Sequence, residues 1–176
     1  YKRQVRGSKR NIEAHYDLGN QLFETFLDPT LMYSSALFSD DDKDLHEASL
    51  EKLDHICRKL HLKPTDHVLE IGTGWGGFAV HAAKNYGCQV TTTTISEEQY
   101  DHVVELVQRH NLSDRVTVLK KDYRDLTGQY DKLVSIEMIE AVGHHYLDTY
   151  INTLSNRLKP EGLALIQAIT IVEQRY

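Results

Sequence analysis

Cysteine is scarce in this chain: Cys57 and Cys88 are the two among 176 residues. They have neither metal-ligand spacing nor a disulfide pattern, which leaves no disulfide framework and no cysteine metal centre to expect. Both are expected as buried thiols in a reducing cytoplasm. Long apolar runs are absent as well. No stretch approaches the roughly 20 residues that a membrane span needs, and no signal peptide is visible. Excess positive charge is also missing. The net charge of −6 argues on electrostatic grounds against nucleic acid as a partner. Internal repeats and low-complexity linkers are lacking, so a solenoid or a tethered array is not expected.

What is present is an ordinary single-domain composition, 40% hydrophobic and 26% charged. The charge is uneven. Lys2, Arg3, Arg6, Lys9 and Arg10 fall in the first ten residues without an acid among them. Such an arm is either a solvated tail or an attractor for anionic lipid or nucleic acid phosphate. The chain opens with Tyr1 and not Met, so a fragment of a longer polypeptide is expected.

After residue 42 the pattern alternates. Leu45, Ala48, Leu53, Ile56, Cys57 and Leu60 recur at helical spacing and predict a helix over 43–60, ended by Lys63-Pro64. Strands are predicted at 67–71, at 89–95 (rich in Val and Thr), at 115–119, at 133–136 and at 163–169. Helices are predicted from the glycine turn to about Asn85, from the N-cap Ser96 to about His110, and from about Tyr146 to a turn at Lys159-Pro160-Glu161-Gly162. This rhythm predicts an α/β fold: an open parallel sheet with helices on both faces and right-handed crossovers, spanning residues 43–176. Residues 1–42 are rich in Tyr, Asn, Asp and Ser and are expected to form a lid or arm over the site.

Between the first strand and its helix stands Glu70-Ile71-Gly72-Thr73-Gly74-Trp75-Gly76-Gly77. Glycine allows positive φ and close approach of a ligand to the backbone. The carboxyl end of the first strand is where α/β sheets bind nucleotides. Gly72, Gly74 and Gly77 also satisfy the dinucleotide fingerprint, but that fingerprint expects an acid about 20 residues on. Here the region reads Thr91-Thr92-Thr93-Thr94-Ile95-Ser96, with no acid. An NAD-dependent oxidoreductase is therefore the second enzyme reading. An acid directly before the first Gly-x-Gly suits a cofactor that bears an amino-acid moiety.

Four ordered motifs add a resemblance. They are Ile12-Glu13-Ala14-His15-Tyr16-Asp17-Leu18-Gly19-Asn20 with Tyr33-Ser34-Ser35, then Val68 to Gly77, then Val134-Ser135-Ile136-Glu137-Met138-Ile139-Glu140-Ala141-Val142-Gly143, then Leu158 to Gly162. Together they resemble the cyclopropane fatty acid synthases and mycolic acid cyclopropane synthases, of the class I methyltransferase fold. The resemblance implies S-adenosyl-L-methionine as cofactor. It would be held by Tyr33 and Ser34 from the lid, by Val68, Leu69, Glu70, Ile71, Gly72, Thr73, Gly74, Trp75 and Gly76, by Thr94, Ile95, Ser96 and Gln99, and by Tyr123 and Arg124 beside Asp122.

It also implies the reaction: methyl transfer to the cis double bond of an unsaturated phospholipid acyl chain, then proton loss to close a cyclopropane ring. The implied base is a bound bicarbonate, oriented by Glu140 and contacted at Ile136, Ser35 and Gln167. Two of these positions depart from the family's common pattern: Gln167 stands where a histidine is usual, and Ser35 where a cysteine is frequent. Glutamine can donate a hydrogen bond but does not titrate near pH 7. Three alternatives follow: acyl methylation without ring closure, methylation of a small amine, and a degenerate, non-catalytic cofactor-binding module. Glu137 reads equally as a functional carboxylate or as a polar strand end. His144 and His145 read as loop residues, since no third ligand lies at metal spacing.

The family's fold continues past a fifth strand with an antiparallel pair, so those strands, a catalytic tyrosine and most of the acyl pocket are expected beyond Tyr176. The fifth strand is then expected as an apolar sheet edge, and the isolated chain as a weak or moderate cofactor binder without turnover. The implied setting is cytoplasmic with peripheral contact at the inner membrane surface, and a homodimer is compatible with it.

Overall fold

The computed structural model describes residues 23, 25–39 and 42–171. The basic arm and the motif Ile12 to Asn20 lie outside the described residues.

The helix α1 (Leu45–Lys59) starts at a capping box. The Asp44 side chain accepts from the Glu47 N–H, and the Glu47 carboxylate accepts from the Asp44 N–H. This satisfies two of the helix's otherwise unbonded amides. Arg58 and Lys59 in the last turn complement the helix dipole. Its inner stripe of Ala48, Leu53, Ile56 and Cys57 is buried, and a fully buried leucine such as Leu53 contributes about 1.5–3 kcal/mol.

The alternation then runs β1 (His67–Ile71), α2 (Gly77–Tyr86), β2 (Gln89–Thr94), α3 (Glu97–Arg109), β3 (Val116–Lys120), β4 (Tyr130–Ile136), α4 (Ile139–Val142), α5 (Leu147–Arg157) and β5 (Leu158–Gln167). All four ladders are parallel, in the order β3-β2-β1-β4-β5. Successive side chains of β1 leave by opposite faces. Val68 joins a core with Leu53, Phe78, Val90 and Val103, under α1, α2 and α3. Leu69 and Ile71 join Leu133, Tyr150 and Leu154, under α5. The result is helix, sheet, helix in three layers, as the alternation predicts.

Four consecutive threonines in β2 are buried, which is tolerable because each hydroxyl has a partner. Thr91 Oγ1 bonds His67 Nε2, Thr92 donates to Glu70, Thr93 donates to the Lys121 carbonyl, and Thr94 donates to Gln99 Oε1. α2 ends at Gly87 with φ +69, its N–H bonding the Ala83 carbonyl, the left-handed cap that glycine adopts without Cβ strain.

The fifth strand differs from the expected 163–169. Leu158 already pairs with Tyr130, and pairing resumes at Leu163 with Lys132. Residues 159–162 bulge outward between them, so the predicted turn sits inside the strand. Gly162 is packed so closely that a Cβ would lie 2.9 Å from the Lys159 carbonyl. Among the described residues β5 pairs with β4 alone, and Leu163 and Ile166 on it are exposed. Cys57 and Cys88 are both buried free thiols. Burial pushes the Cys57 thiol up, and Cys88 up to about 11. No helix among the described residues is long and apolar enough to cross a membrane.

Candidate active site

The sheet order reverses between β1 and β4, and such a reversal opens a crevice at the carboxyl ends of the strands. A cavity of about 780 Å³ opens there, within the range of small-molecule sites.

The glycine loop forms its floor. Gly72 and Thr73 donate their N–H groups to the Thr93 carbonyl, and Gly76 donates to the Thr73 carbonyl. Gly74 has φ +51, and a Cβ there would meet nothing within 4 Å. Glycine at Gly74 therefore serves conformation and leaves space for a ligand. Gly76, with φ +89, is the opposite case. A Cβ would lie 3.1 Å from Val103 and from Leu106, so its glycine serves packing of α2 against α3.

Most residues expected around a cofactor line this cavity. Tyr33 and Ser34 do so from the segment before α1, and Glu70, Ile71, Gly72, Thr73, Gly74 and Trp75 from the loop. Thr94, Ile95 and Gln99 do so after β2, and Tyr123 and Arg124 after β3. Four expected residues do not line it. Val68 and Leu69 are wholly buried in the two cores because their strand is covered on both faces. Gly76 packs against α3, and Ser96 caps that helix, its Oγ accepting from the Gln99 N–H.

The electrostatics of the floor favour a polar ligand. Glu70 is 2% exposed; burial pushes its carboxyl up to about 8, against a 2.6 Å hydrogen bond from Thr92 Oγ1. A cation arriving beside it would favour the carboxylate. Among the described residues, Thr73 Oγ1 and Trp75 Nε1 are buried without hydrogen-bond partners, and both residues line the cavity. Unsatisfied buried polar atoms are costly, and a ligand with complementary groups relieves them. Arg124 grips Asp122 with two side-chain hydrogen bonds at 2.8 and 2.5 Å. Burial opposes ionisation of Asp122, but Arg124 holds its carboxyl below the usual range. The residues present therefore fit a cofactor with an amino-acid group and a nucleoside.

The opposite wall carries a corner that sequence reasoning places differently. Glu137 Oε1 accepts from the Ser35 N–H at 3.0 Å, from the Ser35 hydroxyl at 3.1 Å and from Gln167 Nε2 at 2.8 Å. Gln167 Nε2 also donates to Ser35 Oγ at 3.2 Å. Among the described residues, Glu137 Oε2 has no hydrogen-bond donor. Glu137 has φ +48, a backbone position that L-residues adopt at a cost and that recurs at functional sites. Glu140 lines the cavity as well; it is exposed, and its Oε1 accepts from the Ile169 N–H at 2.5 Å. Ile136 lines the cavity, and its strand pairs it with Gln167. The donors expected to hold a bicarbonate, Ser35 and Gln167, are thus already taken by the chain's own carboxylate.

Lys52 is a site neighbour that the sequence does not announce, since one lysine on an amphipathic helix reads as part of its solvated face. It is 5% exposed, and its Nζ donates to Ser34 Oγ at 2.5 Å. Burial pushes the ammonium down to about 8, while Glu137 and Asp28 pull it back up. His144 and His145 are exposed in a short 3₁₀ turn. No group of three or more metal-ligating side chains occurs among the described residues.

The chain is similar to known proteins. The chain is 46% identical over 157 residues to the cyclopropane-fatty-acyl-phospholipid synthase of Escherichia coli (strain K12), covering 89% of this chain and 40% of that protein. It is 40% identical over 175 residues to the tuberculostearic acid methyltransferase UfaA1 of Mycobacterium tuberculosis, covering 96% of this chain and 41% of that one. The chain thus spans about 40% of the length of these curated relatives. The crystal structure of the mycolic acid cyclopropane synthase CmaA1 complexed with SAH and CTAB superposes with a TM-score of 0.86 at 35% identity, covering 90% of this chain and 55% of that one. The family model for mycolic acid cyclopropane synthetase matches residues 3–176, and by that match the chain belongs to this family.

Proposed function

We propose that this chain carries the cofactor site and part of the reaction centre of an enzyme that transfers a methyl group from S-adenosyl-L-methionine to the cis double bond of an unsaturated phospholipid acyl chain, giving a cyclopropane. The cofactor supplies an electrophilic sulfonium methyl. Glu70, Thr73, Gly74 and Trp75 would hold its amino-acid end, and Gln99, Tyr123 and Arg124 its nucleoside. Ile136, Met138 and Val142 give the cavity an apolar wall, which excludes water from a cationic acyl carbon.

The observation that carries the reading is Glu137, a fixed carboxylate facing the same cavity as the glycine loop. The alkene gives its electron pair to the methyl carbon, leaving a cation on the neighbouring acyl carbon. Glu137 then takes a proton from the new methyl group, and the freed C–H pair closes the ring. Three donors on Oε1 fix the carboxylate and leave Oε2 as acceptor. The acyl chain would be met at the inner membrane surface.

A second reading rests on the same corner. Because a side chain stands where a small diffusible base was expected, Glu137 could reach a different hydrogen. Proton loss from the carbon beside the cation would leave a methyl-branched alkene and no ring. Full-length protein, S-adenosyl-L-methionine and unsaturated phospholipid vesicles, followed by mass spectrometry of the acyl chains, separate these. A product heavier by one methylene with its double bond lost establishes the ring; a methylated chain that keeps a double bond establishes the branch. No lipid product from a protein that binds the cofactor would end the lipid assignment and direct the search to amine substrates.

A further inference from the structure

We propose that Lys52 is a positioning residue for the cofactor: its Nζ fixes Ser34, and with it the wall of the cavity formed by residues 31–34. The proposal rests on reading the cavity as the site of S-adenosyl-L-methionine and is independent of which group accepts the proton.

Leu31, Met32, Tyr33 and Ser34 are consecutive cavity residues from a segment that is neither helix nor strand. Such a segment has no hydrogen-bond ladder of its own, so its neighbours must hold it. Its upstream end is tied at Asp28, which accepts from the Thr30 N–H and hydroxyl and lies 2.8 Å from His46 Nδ1 on α1. It abuts the start of α2, where a Cβ on Gly77 would lie 3.0 Å from the Thr30 carbonyl and from Met32 Cε. Leu31 has φ +50, a conformation that an L-residue keeps only where its surroundings impose it. Downstream, the Leu37 N–H donates to the Ala48 carbonyl of α1 at 3.1 Å.

Lys52 supplies the tie at the cavity itself. A lysine on a helix ordinarily extends its ammonium to water. This one is 5% exposed and donates to Ser34 Oγ at 2.5 Å. A buried cation is tolerated where opposite charges face it, and Asp28 and Glu137 do. Both carboxylates have further partners: Thr30 and His46 for Asp28, Ser35 and Gln167 for Glu137. An apolar side chain of similar length at position 52 therefore leaves them bonded and releases Ser34.

The test measures binding of S-adenosyl-L-homocysteine by isothermal titration calorimetry to the full-length parent, Lys52→Met, Ser34→Ala and the double variant. Lys52→Met is expected to raise Kd roughly tenfold, the scale of one hydrogen bond to a charged group, with the melting temperature of cofactor-free protein unchanged. Because Lys52 acts through Ser34, the double variant should bind no more weakly than the weaker single one, whereas losses at independent groups multiply. In turnover, KM for S-adenosyl-L-methionine should rise while kcat at saturation holds. Parental Kd in Lys52→Met overturns the proposal, and so does a double variant whose loss is the product of the two single losses. A Lys52→Met protein that melts lower or does not fold makes the residue structural and overturns it too. A parent that does not bind S-adenosyl-L-homocysteine overturns the reading of the cavity, an outcome distinct from these.

Discussion

Gln167 and Glu137 hold each other reciprocally. The Gln167 side-chain amide donates to Glu137 Oε1 at 2.8 Å, and the Glu137 backbone N–H donates to the Gln167 carbonyl at 2.9 Å. The residue that seemed to weaken the site in the sequence thus fixes its carboxylate. A neutral amide donates to this carboxylate without titrating near pH 7.

Glu137→Gln should lower turnover by roughly 10²–10⁴-fold, the usual worth of a positioned base. Cofactor affinity, read from Trp75 fluorescence, should stay near the parental value. A variant that turns over at the parental rate would remove Glu137 from the chemistry.

Gln167→Ala removes one of the three donors on Oε1. Hydrogen bonds to charged groups are worth about 1.5–3 kcal/mol, so a fall in kcat of roughly tenfold or more is expected, without a comparable change in cofactor binding. Steady-state kinetics at saturating cofactor decide it, and an unchanged kcat would mean that Ser35 alone holds the carboxylate.

Glu70 makes stability depend on pH. Its folded carboxyl is raised to about 8 from an ordinary 4.5. Between those values the unfolded chain has released the proton and the folded chain has not. The stabilisation is therefore complete below pH 4.5 and is lost as pH rises through about 8, at a slope of up to about 1.4 kcal/mol per pH unit. Urea midpoints of cofactor-free protein should fall across this window, and Glu70→Gln should flatten the fall. An equally steep fall in the variant would assign it to other groups.

Two of the left-handed glycines of the loop, Gly74 and Gly76, should respond differently to alanine. Gly74→Ala meets no atom within 4 Å and should cost only the conformational penalty of about 1–2 kcal/mol, together with lost cofactor affinity. Gly76→Ala meets Val103 and Leu106 at 3.1 Å, so overpacking of about 1–3 kcal/mol is added. Denaturant midpoints should rank Gly76→Ala below Gly74→Ala; the reverse order would contradict the packing role.

Much of this protein is written in local order. The alternation of β-rich and amphipathic segments fixes a parallel sheet, because each strand must be covered on both faces and each crossover needs a helix. Asp44, Ser96 and Gly87 mark helix ends through bonds to residues a few positions away. The glycine loop is legible for the same reason: its conformation depends on glycine itself. Four ordered motifs carry the family.

Tertiary structure alone decided the corner at Glu137. Ser35 and Glu137 are 102 residues apart, and Gln167 is 30 beyond, so no periodicity links them. Glu137 and Glu140 lie three residues apart in one motif, and the sequence favoured Glu140. The positive φ at Glu137 turns its carboxylate to Ser35 and Gln167, while Glu140 remains exposed and bonds the Ile169 N–H. Lys52 was illegible for a related reason. Burial of a lysine depends on what packs over it, here Ser34 and two carboxylates brought by other segments, and local sequence has no means of recording that.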